Sequence, residues 1–281
     1  KKSHKKIKTK TKKQSLNYWR KASGEHMWNG SFWRKGERER GRKIFEEISA
    51  SIFQNLAHAL SKTFQVVLLD LRGHGYSDKP RHIKFNEFAD DIILLLDYLY
   101  IDQAAFIGHE MGATIIAHLS KQYPEYVSSL TMINPTSIEG ELPEERLFRK
   151  YAHKIRNWNE DKQEKFLDKH RYYKHRKVNK FLKNVEDTNS ISTKEETEAV
   201  DEVFKQRGIA EVFEYITKPT FIVASAYGER ITSLESKEVA DLIGNVHFEV
   251  YSKSSMYPFE EEQEKFIHDV TPFIKKHMPQ H

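Results

Sequence analysis

A glycine pentad between an apolar strand and an amphipathic helix constrains the fold of this chain more than any other feature. The pentad is Gly108-His109-Glu110-Met111-Gly112, and a helical pattern that ends at Gln122 follows it. Glycines on both sides suit a strand-to-helix turn that leaves little room for Cβ atoms. The pattern therefore predicts a tight turn that displays its central side chain, Glu110, above a sheet.

The elements on either side of the pentad alternate between strand and helix. Strands are predicted at residues 64–69, 104–107, 129–133, 220–224 and 246–251, and helices at residues 52–60, 85–99, 112–122 and 261–276. Short connections between such elements mean right-handed crossovers and a mainly parallel sheet. An aromatic-flanked Asn-Gly near Trp28 adds a hairpin, and Lys43 to Phe45 adds a short strand.

Charge is distributed unevenly along the 281 residues. The first 40 residues hold 14 Lys/Arg and 3 Asp/Glu, so the net charge of +5 describes a basic arm on a mildly acidic body. Lys1 to Lys13 contains eight lysines and one apolar residue, which predicts disorder over residues 1–24. The arm would either contact nucleic acid or an anionic surface, or act as a solubilising tail.

Composition narrows the class of protein. The longest apolar run, Ile92 to Leu96, is far shorter than the roughly 20 residues that a membrane-spanning helix needs. No apolar secretory signal is recognised, and the chain has no cysteine, which excludes disulfides, thiolate metal sites and a cysteine nucleophile. We expect a cytoplasmic protein without a cofactor; the oligomeric state stays open.

Seven motifs in order resemble the α/β-hydrolase superfamily, most closely its epoxide-hydrolase and haloalkane-dehalogenase-like branch. They are Asp70 to Pro80 (DLRGHGYSDKP), Phe88 to Ile92, Gly108 to Ala113, Tyr123 to Val127, Ile133 to Pro135, Lys218 to Thr220 and Pro258 to Glu260. The resemblance implies a mainly parallel eight-stranded sheet flanked by helices. It also implies a core of residues 25–135 and 217–281, interrupted by a helical cap of residues 136–216.

The chemistry of that family needs four parts, and the resemblance places each part on a residue of another type. The nucleophile, serine or aspartate in the family, falls on Glu110, and the catalytic histidine falls on Met256. The acid falls on Gly228, after the strand that ends at Ala224. One oxyanion donor is the backbone N–H of Met111, and the His-Gly turn that carries the other donor aligns with Glu46-Glu47.

Substitutes for the acid and the base stay open. Glu229 is one residue from the acid position, and Glu139 follows an earlier strand. His74 and His109 belong to loop motifs, and His247 lies on a predicted strand. Any of these histidines would have to supply the basic nitrogen that activates water for hydrolysis of an ester intermediate.

A pocket between core and cap is the expected ligand site. Six residues are expected to contact the ligand: His109, Met111, Glu46, Glu47, Tyr172 and Tyr173. Adjacent tyrosines on a helix point about 100° apart, so at most one would face the pocket, and the basic stretch around them could instead contact a polyanion or solvent. A cluster of Glu46, Glu47 and Glu110 would suit Mg²⁺ or Ca²⁺, but with the first two in solvent no metal site is predicted.

Three functions follow from these features. The first is a catalytically inactive or severely impaired member of the family that binds a small apolar ligand or acts as a scaffold. The second is an active hydrolase of epoxides, haloalkanes or carboxylic esters with Glu110 as nucleophile, although loss of a triad base can lower turnover by about 10⁶-fold. The third is a polyanion-binding protein that works through Lys1 to Lys13.

Overall fold

The structure, a computed structural model, describes residues 50–185 and 192–279, together with the backbone of three short strands before residue 29. The chain divides into two compact units. Residues 1–82 and 179–200 form one unit, and residues 83–178 and 201–281 form the other. These bounds differ from the predicted division into arm, core and cap, which stays a prediction.

The first unit begins with an antiparallel three-stranded sheet. Its strands are β1 (His4–Lys8), β2 (Ser15–Arg20) and β3 (His26–Trp28), paired in that order. Short connections make such local strand pairing inexpensive in loop entropy, and the disorder expected over residues 1–24 stays a prediction. The predicted turn at Asn29-Gly30 and the strand from Lys43 lie outside the described residues.

Helix α1 (Gln54–Leu60) follows a 3₁₀ turn, as predicted, and buries Leu56 and Leu60. The strand predicted from Phe64 to Leu69 is wrong, since this segment carries an isolated bridge at Val66 and no ladder. An apolar, valine-rich composition favours a strand only where a neighbouring strand is available to pair with it.

A parallel four-stranded sheet forms the centre of the second unit. Its strands pair in the order β4 (Ala104–His109), β5 (Val127–Ile133), β6 (Thr220–Ser225) and β7 (Val246–Tyr251). All seven residues of β5 and all six of β6 are buried, as expected for strands covered on both faces. The predicted mainly parallel α/β sheet is confirmed, and four of its eight expected strands lie within the described residues.

The helices of the second unit follow the predicted pattern closely. They are α2 (Asn86–Tyr98), α3 (Met111–Gln122), α4 (Pro143–Ile155), α5 (Glu160–Arg171), α8 (Ser233–Asp241), α9 (Pro258–Glu261) and α10 (Gln263–His277). Two further helices, α6 (His175–Leu182) and α7 (Lys194–Phe204), cross between the units. Helix α3 packs on β4 and β5, and α8 packs on β6 and β7. Because the four strands are parallel, their carboxyl ends meet at one edge of the sheet.

Helices α4 and α5 are in contact and share an apolar cluster of their own. Leu147, Ile155 and Leu167 are fully buried between them, and Tyr151, Trp158 and Phe166 pack against these three residues. We call these two helices the α4–α5 pair. They lie inside the segment predicted to be helical and without strands, and the described part of residues 136–216 is helical as expected.

Candidate functional site

The elbow turn, residues 108–112, has the strained geometry that its glycines predict. Glu110 sits between β4 and α3 with φ 50° and ψ −112°, a conformation that costs a non-glycine residue about 1–3 kcal/mol. A Cβ on Gly108 would lie 2.4 Å from the carbonyl oxygen of Gly112, so a larger residue there would push the helix away. The N–H of Glu110 donates to the carbonyl of Ile133 at 2.8 Å, which fixes the turn to β5.

The carboxylate of Glu110 is held by an arginine. Arg230 Nη1 donates to Glu110 Oε1 at 2.7 Å, and the two residues are 5% and 4% exposed. Arg230 lies in the loop after β6, residues 226–232, which we call the acid loop. A carboxylate engaged in a buried, charge-assisted hydrogen bond is poorly nucleophilic, because attack on a substrate would have to break that bond.

The same arginine continues into a chain of buried charges. Arg230 Nε forms an ion pair with Glu144 Oε2 at 2.9 Å. Arg171 Nε donates to Glu144 Oε1 at 2.9 Å, and Arg171 also contacts Glu164 and Asp168. We call Glu110, Arg230, Glu144 and Arg171 the ionic relay. It joins the elbow turn to both helices of the α4–α5 pair.

The relay keeps Glu144 ionised. Burial on its own raises the pKa of the Glu144 carboxyl, but the charge of Arg230 and the hydrogen bonds from Arg171 outweigh burial and lower that pKa below 4.5. Alternating charges repay desolvation only when each carboxylate has a close cationic neighbour, which is the arrangement here.

The imidazole of His109 lies beside Glu110, but its Nε2 already carries a proton and cannot act as a base toward Glu110. His109 Nε2 is 3.6 Å from Glu110 Oε1 and 2.8 Å from the carbonyl oxygen of Met256. A carbonyl oxygen only accepts, so the hydrogen bond assigns the proton of the neutral ring to Nε2. Burial is the largest effect on His109 and lowers its pKa below 6.5, which keeps the ring neutral. The nitrogen nearest to Glu110 therefore offers no lone pair for general base catalysis.

The loop expected to carry the histidine, residues 252–257, is built around Met256 and buried polar groups. Asn134 donates to the carbonyls of Ser255 at 3.0 Å and Met256 at 3.3 Å. Met256 itself is buried and donates its N–H to Arg171 O at 3.2 Å. These bonds fix the backbone at the position where the resemblance predicts a histidine, and the side chain there is a thioether without a basic nitrogen.

Glu261 braces this histidine loop from below. Its Oε2 accepts from the N–H groups of Ser255 and Tyr257, and its Oε1 accepts from those of Tyr173 and Lys174, each at 2.8–3.2 Å. One buried carboxylate thus satisfies four backbone donors from two segments. Glu261 directly follows the Pro258 to Glu260 motif, and its role was not predicted.

The acid position cannot hold a side chain in this backbone. A Cβ built on Gly228 would lie 2.1 Å from the carbonyl oxygen of Ile231, far inside van der Waals contact. Gly228 also donates its N–H to Ser225 O at 3.2 Å. The backbone of the acid loop therefore occupies the space that a side chain at position 228 would need.

The neighbouring candidate acid, Glu229, has a histidine partner outside the histidine loop. His170 Nδ1 lies 2.8 Å from Glu229 Oε1, and the Tyr151 hydroxyl donates to Glu229 Oε2. Lys150 Nζ donates to the same carboxylate at 2.7 Å. Burial alone raises the pKa of Glu229, but the hydrogen bonds from Lys150, Tyr151 and His170 lower it overall. Burial, followed by the hydrogen bond to Glu229, raises the pKa of Tyr151 to about 12.

A crevice beside Glu110 is filled by the side chains that surround it. Seven residues line it: Glu110, Asn134, Gly228, Arg230, Ile231, Ser255 and Met256. In this part of the described structure the crevice has no space large enough for a water molecule. The pocket expected for a small apolar ligand is therefore not open at the elbow.

The remaining predicted site residues of this region lie away from the crevice beside Glu110. Tyr172, in extended backbone, and Tyr173, in a bend, follow α5 rather than lying on a helix. They stack on Tyr257 and Tyr227 respectively and do not line the crevice. The carboxylate of Glu139 accepts the N–H groups of Gly208 and Ala210.

Two histidines and the glutamate pair complete the placement of the predicted residues. His247 is mostly exposed on β7, 3.6 Å from Glu249. His74 belongs to the first unit, where its Nδ1 contacts Arg72 O at 3.0 Å. Met111 is the first residue of α3. Glu46 and Glu47 lie outside the described residues, so their predicted positions are untested.

Within the described ranges, no helix is long and apolar enough to cross a bilayer. Across those same residues, no group of three or more His, Asp or Glu side chains is arranged to hold a metal ion.

Known proteins share this fold. A family model described as alpha/beta hydrolase fold matches residues 44–263. This chain belongs to the alpha/beta hydrolase fold family. The match includes the elbow turn, the acid loop and the histidine loop, and it extends through the helical segment between them.

Relatives of known sequence match shorter stretches. 2-(Acetamidomethylene)succinate hydrolase of Mesorhizobium japonicum is 36% identical over 89 residues, which are 31% of this chain and 32% of that protein. Epoxide hydrolase 4 of Mus musculus is 39% identical over 74 residues, 25% of this chain and 21% of that protein. The matches thus span about a third or less of these relatives, and the predicted likeness to epoxide hydrolases is confirmed.

Among solved structures, an esterase from Thermogutta terrifontis with malate bound superimposes with a TM-score of 0.71. It is 16% identical, and the superposition covers 98% of this chain and all of that one. An enol-lactonase from Burkholderia xenovorans gives a TM-score of 0.66 at 21% identity. At these identities the likeness shows the fold and does not show an activity.

Proposed function

We propose that this chain is a non-hydrolytic member of the alpha/beta hydrolase family that acts as a scaffold or binding protein. The observation that carries the proposal is the state of Glu110. Its carboxylate is ion-paired with Arg230 at 2.7 Å, and the nearest imidazole nitrogen donates to a backbone carbonyl. A nucleophile that is neutralised and has no adjacent base lacks both means of activation.

The two remaining chemical positions support the same proposal. Met256 cannot accept a proton, and Gly228 cannot be replaced by an acid without moving the backbone of the acid loop. Binding of a small apolar ligand requires the crevice beside Glu110 to open, whereas a scaffold function does not. The filled crevice therefore favours the scaffold function. The predicted cytoplasmic location and the predicted polyanion contact of the basic arm both stay predictions.

An assay of turnover and covalent labelling tests the proposal. The full chain is incubated with reactive epoxides, haloalkanes and activated esters, followed by product analysis and intact mass spectrometry. We expect product formation no faster than in buffer, and no mass increase at Glu110. The matched control is Glu110→Gln, which keeps the shape of the side chain and should behave identically.

Each other outcome has a defined meaning. Multiple turnovers that disappear in Glu110→Gln would overturn the proposal and establish the active hydrolase. A stable adduct on Glu110 without turnover would show that the carboxylate can leave Arg230 and attack, which contradicts the neutralised state proposed for it.

A further inference from the structure

The elbow carboxylate lies at one end of a connection that the family chemistry does not need. Glu110 contacts Arg230, Arg230 contacts Glu144 on α4, and Glu144 contacts Arg171 on α5. Each contact in this sequence joins a carboxylate to a guanidinium, and all four side chains are at least nine-tenths buried. The elbow turn and the two helices are therefore coupled by charge.

The α4–α5 pair has its own apolar cluster, so its association with the sheet depends on other contacts. Three contacts with the acid loop and α8 are ion pairs: Glu144 with Arg230, Arg146 with Glu235, and Lys150 with Glu229. Two hydrogen bonds accompany them, from Arg146 to the carbonyl of Arg230 and from the Tyr151 hydroxyl to Glu229. Of these, the contact through Glu144 is the most deeply buried. A buried ion pair is highly sensitive to loss of either partner, since the remaining charge is left without compensation.

Arg230 is suited to join two partners at once. A guanidinium presents five N–H donors in a fixed fork, and here Nη1 faces the elbow turn while Nε faces α4. If Glu110 loses its charge, Arg230 keeps one carboxylate instead of two, and the attraction that orients its fork toward Glu144 is weakened. The charge of Glu110 therefore acts on α4 through Arg230.

We propose that Glu110 is a docking residue, whose carboxylate holds the α4–α5 pair against the elbow turn through Arg230. The position that carries the nucleophile in the family has here become the anchor of a helix pair. The inference rests on the proposed function, because a Glu110 that formed an ester during turnover could not hold Arg230. The inference goes beyond the proposed function, because it assigns the Glu110 side chain a structural role in holding the α4–α5 pair.

Hydrogen–deuterium exchange on the full chain tests the docking role. We expect Glu110→Gln to accelerate amide exchange in residues 143–171 by about 100-fold, because loss of one partner of a buried pair favours local opening. Glu144→Gln should accelerate the same amides. The double variant should be no faster than the faster single variant, since both substitutions break one connection.

The control is Lys150→Met, which breaks the more exposed ion pair between α4 and Glu229 and removes no contact within the ionic relay. Its effect should add to that of Glu110→Gln. Exchange in residues 143–171 that is unchanged by Glu110→Gln, or additive effects of Glu110→Gln and Glu144→Gln, would overturn the docking role.

A second measurement works from the other end of the relay if Glu110→Gln does not fold. Glu144→Gln should accelerate exchange at residues 110–114, although these residues lie outside the helix pair. Unchanged exchange there would overturn the proposal. The turnover assay on the same samples distinguishes the two proposals. If the proposed function fails, turnover is seen. If only the docking role fails, there is no turnover and exchange in residues 143–171 is unchanged by Glu110→Gln.

Discussion

Two consecutive residues of the acid loop, Glu229 and Arg230, both form ion pairs, yet their surroundings differ greatly. Arg230 is 5% exposed and faces carboxylates that are almost equally buried. The side chain of Glu229 is 28% exposed, and its partner Lys150 is 54% exposed. Water and salt screen the second pair and hardly reach the first. The two consecutive residues thus belong to different kinds of ion pair: Arg230 belongs to a buried one and Glu229 to one at the surface.

The substitution Arg230→Met should give the largest effect in this comparison. It leaves Glu110 and Glu144 buried without their shared cation, and we expect a loss of about 3–5 kcal/mol in the free energy of unfolding. Urea unfolding monitored by tryptophan fluorescence measures this loss. The matched control Lys150→Met should lower stability by less than about 1 kcal/mol. Equal losses for the two variants would remove the distinction between the pairs.

A second comparison uses the adjacent glutamates of the segment after the histidine loop. Glu261 accepts four backbone N–H groups, whereas Glu262 accepts one, from Lys253. Glu261→Gln places an amide N–H against donors, so it should lower the free energy of unfolding by about 2–3 kcal/mol. Glu262→Gln should change it by less than about 1 kcal/mol, and a reversed order in thermal unfolding would contradict the bracing role of Glu261.

Acid pH should act on the buried groups in two stages. Burial lowers the pKa of His74 and His109 below 6.5, so the unfolded chain binds protons first and stability falls as pH drops below 6.5. The lowered pKa of Glu144 adds a second loss below pH 4.5. Unfolding free energies between pH 8 and about pH 2 measure both stages. His109→Gln should flatten the first stage, and an unchanged slope would argue against a neutral, buried His109.

The smallest effect is expected for Glu229→Gln. Its carboxylate is partly exposed, and its bonds to Lys150 and His170 are replaceable by water, so stability should change by less than about 1 kcal/mol. Addition of 0.5 M NaCl, measured in parallel, should reduce even this difference. A larger, salt-independent loss would place Glu229 among the buried charges with Arg230.

Local patterns in the sequence accounted for most of the second unit. The strands on both sides of the elbow turn, the amphipathic α2 and the turn itself were predictable, because their signals lie within a few residues of each other. The segment from Phe64 to Leu69 shows the limit of this approach. Its composition favours a strand, but pairing depends on a partner that composition does not identify.

The ionic relay was not predictable for a related reason. Glu110 and Arg230 are 120 residues apart, and Glu144 and Arg171 come from a segment whose many charges all looked equally solvated. One signal was present: Arg230 is a charged residue two positions after Gly228, the predicted acid position. The histidine that pairs with Glu229 was likewise hidden, since His170 is one of several basic residues in DKHRYYKHRK.

The carbonyl oxygen of Ile231 lies 2.1 Å from the point where a side chain at position 228 would begin. An aspartate at position 228 would therefore meet backbone, and the acid loop would have to change its conformation before the new carboxylate could reach any histidine. Under the proposed non-hydrolytic function, a single substitution at position 228 would thus disturb the acid loop without supplying a catalytic acid.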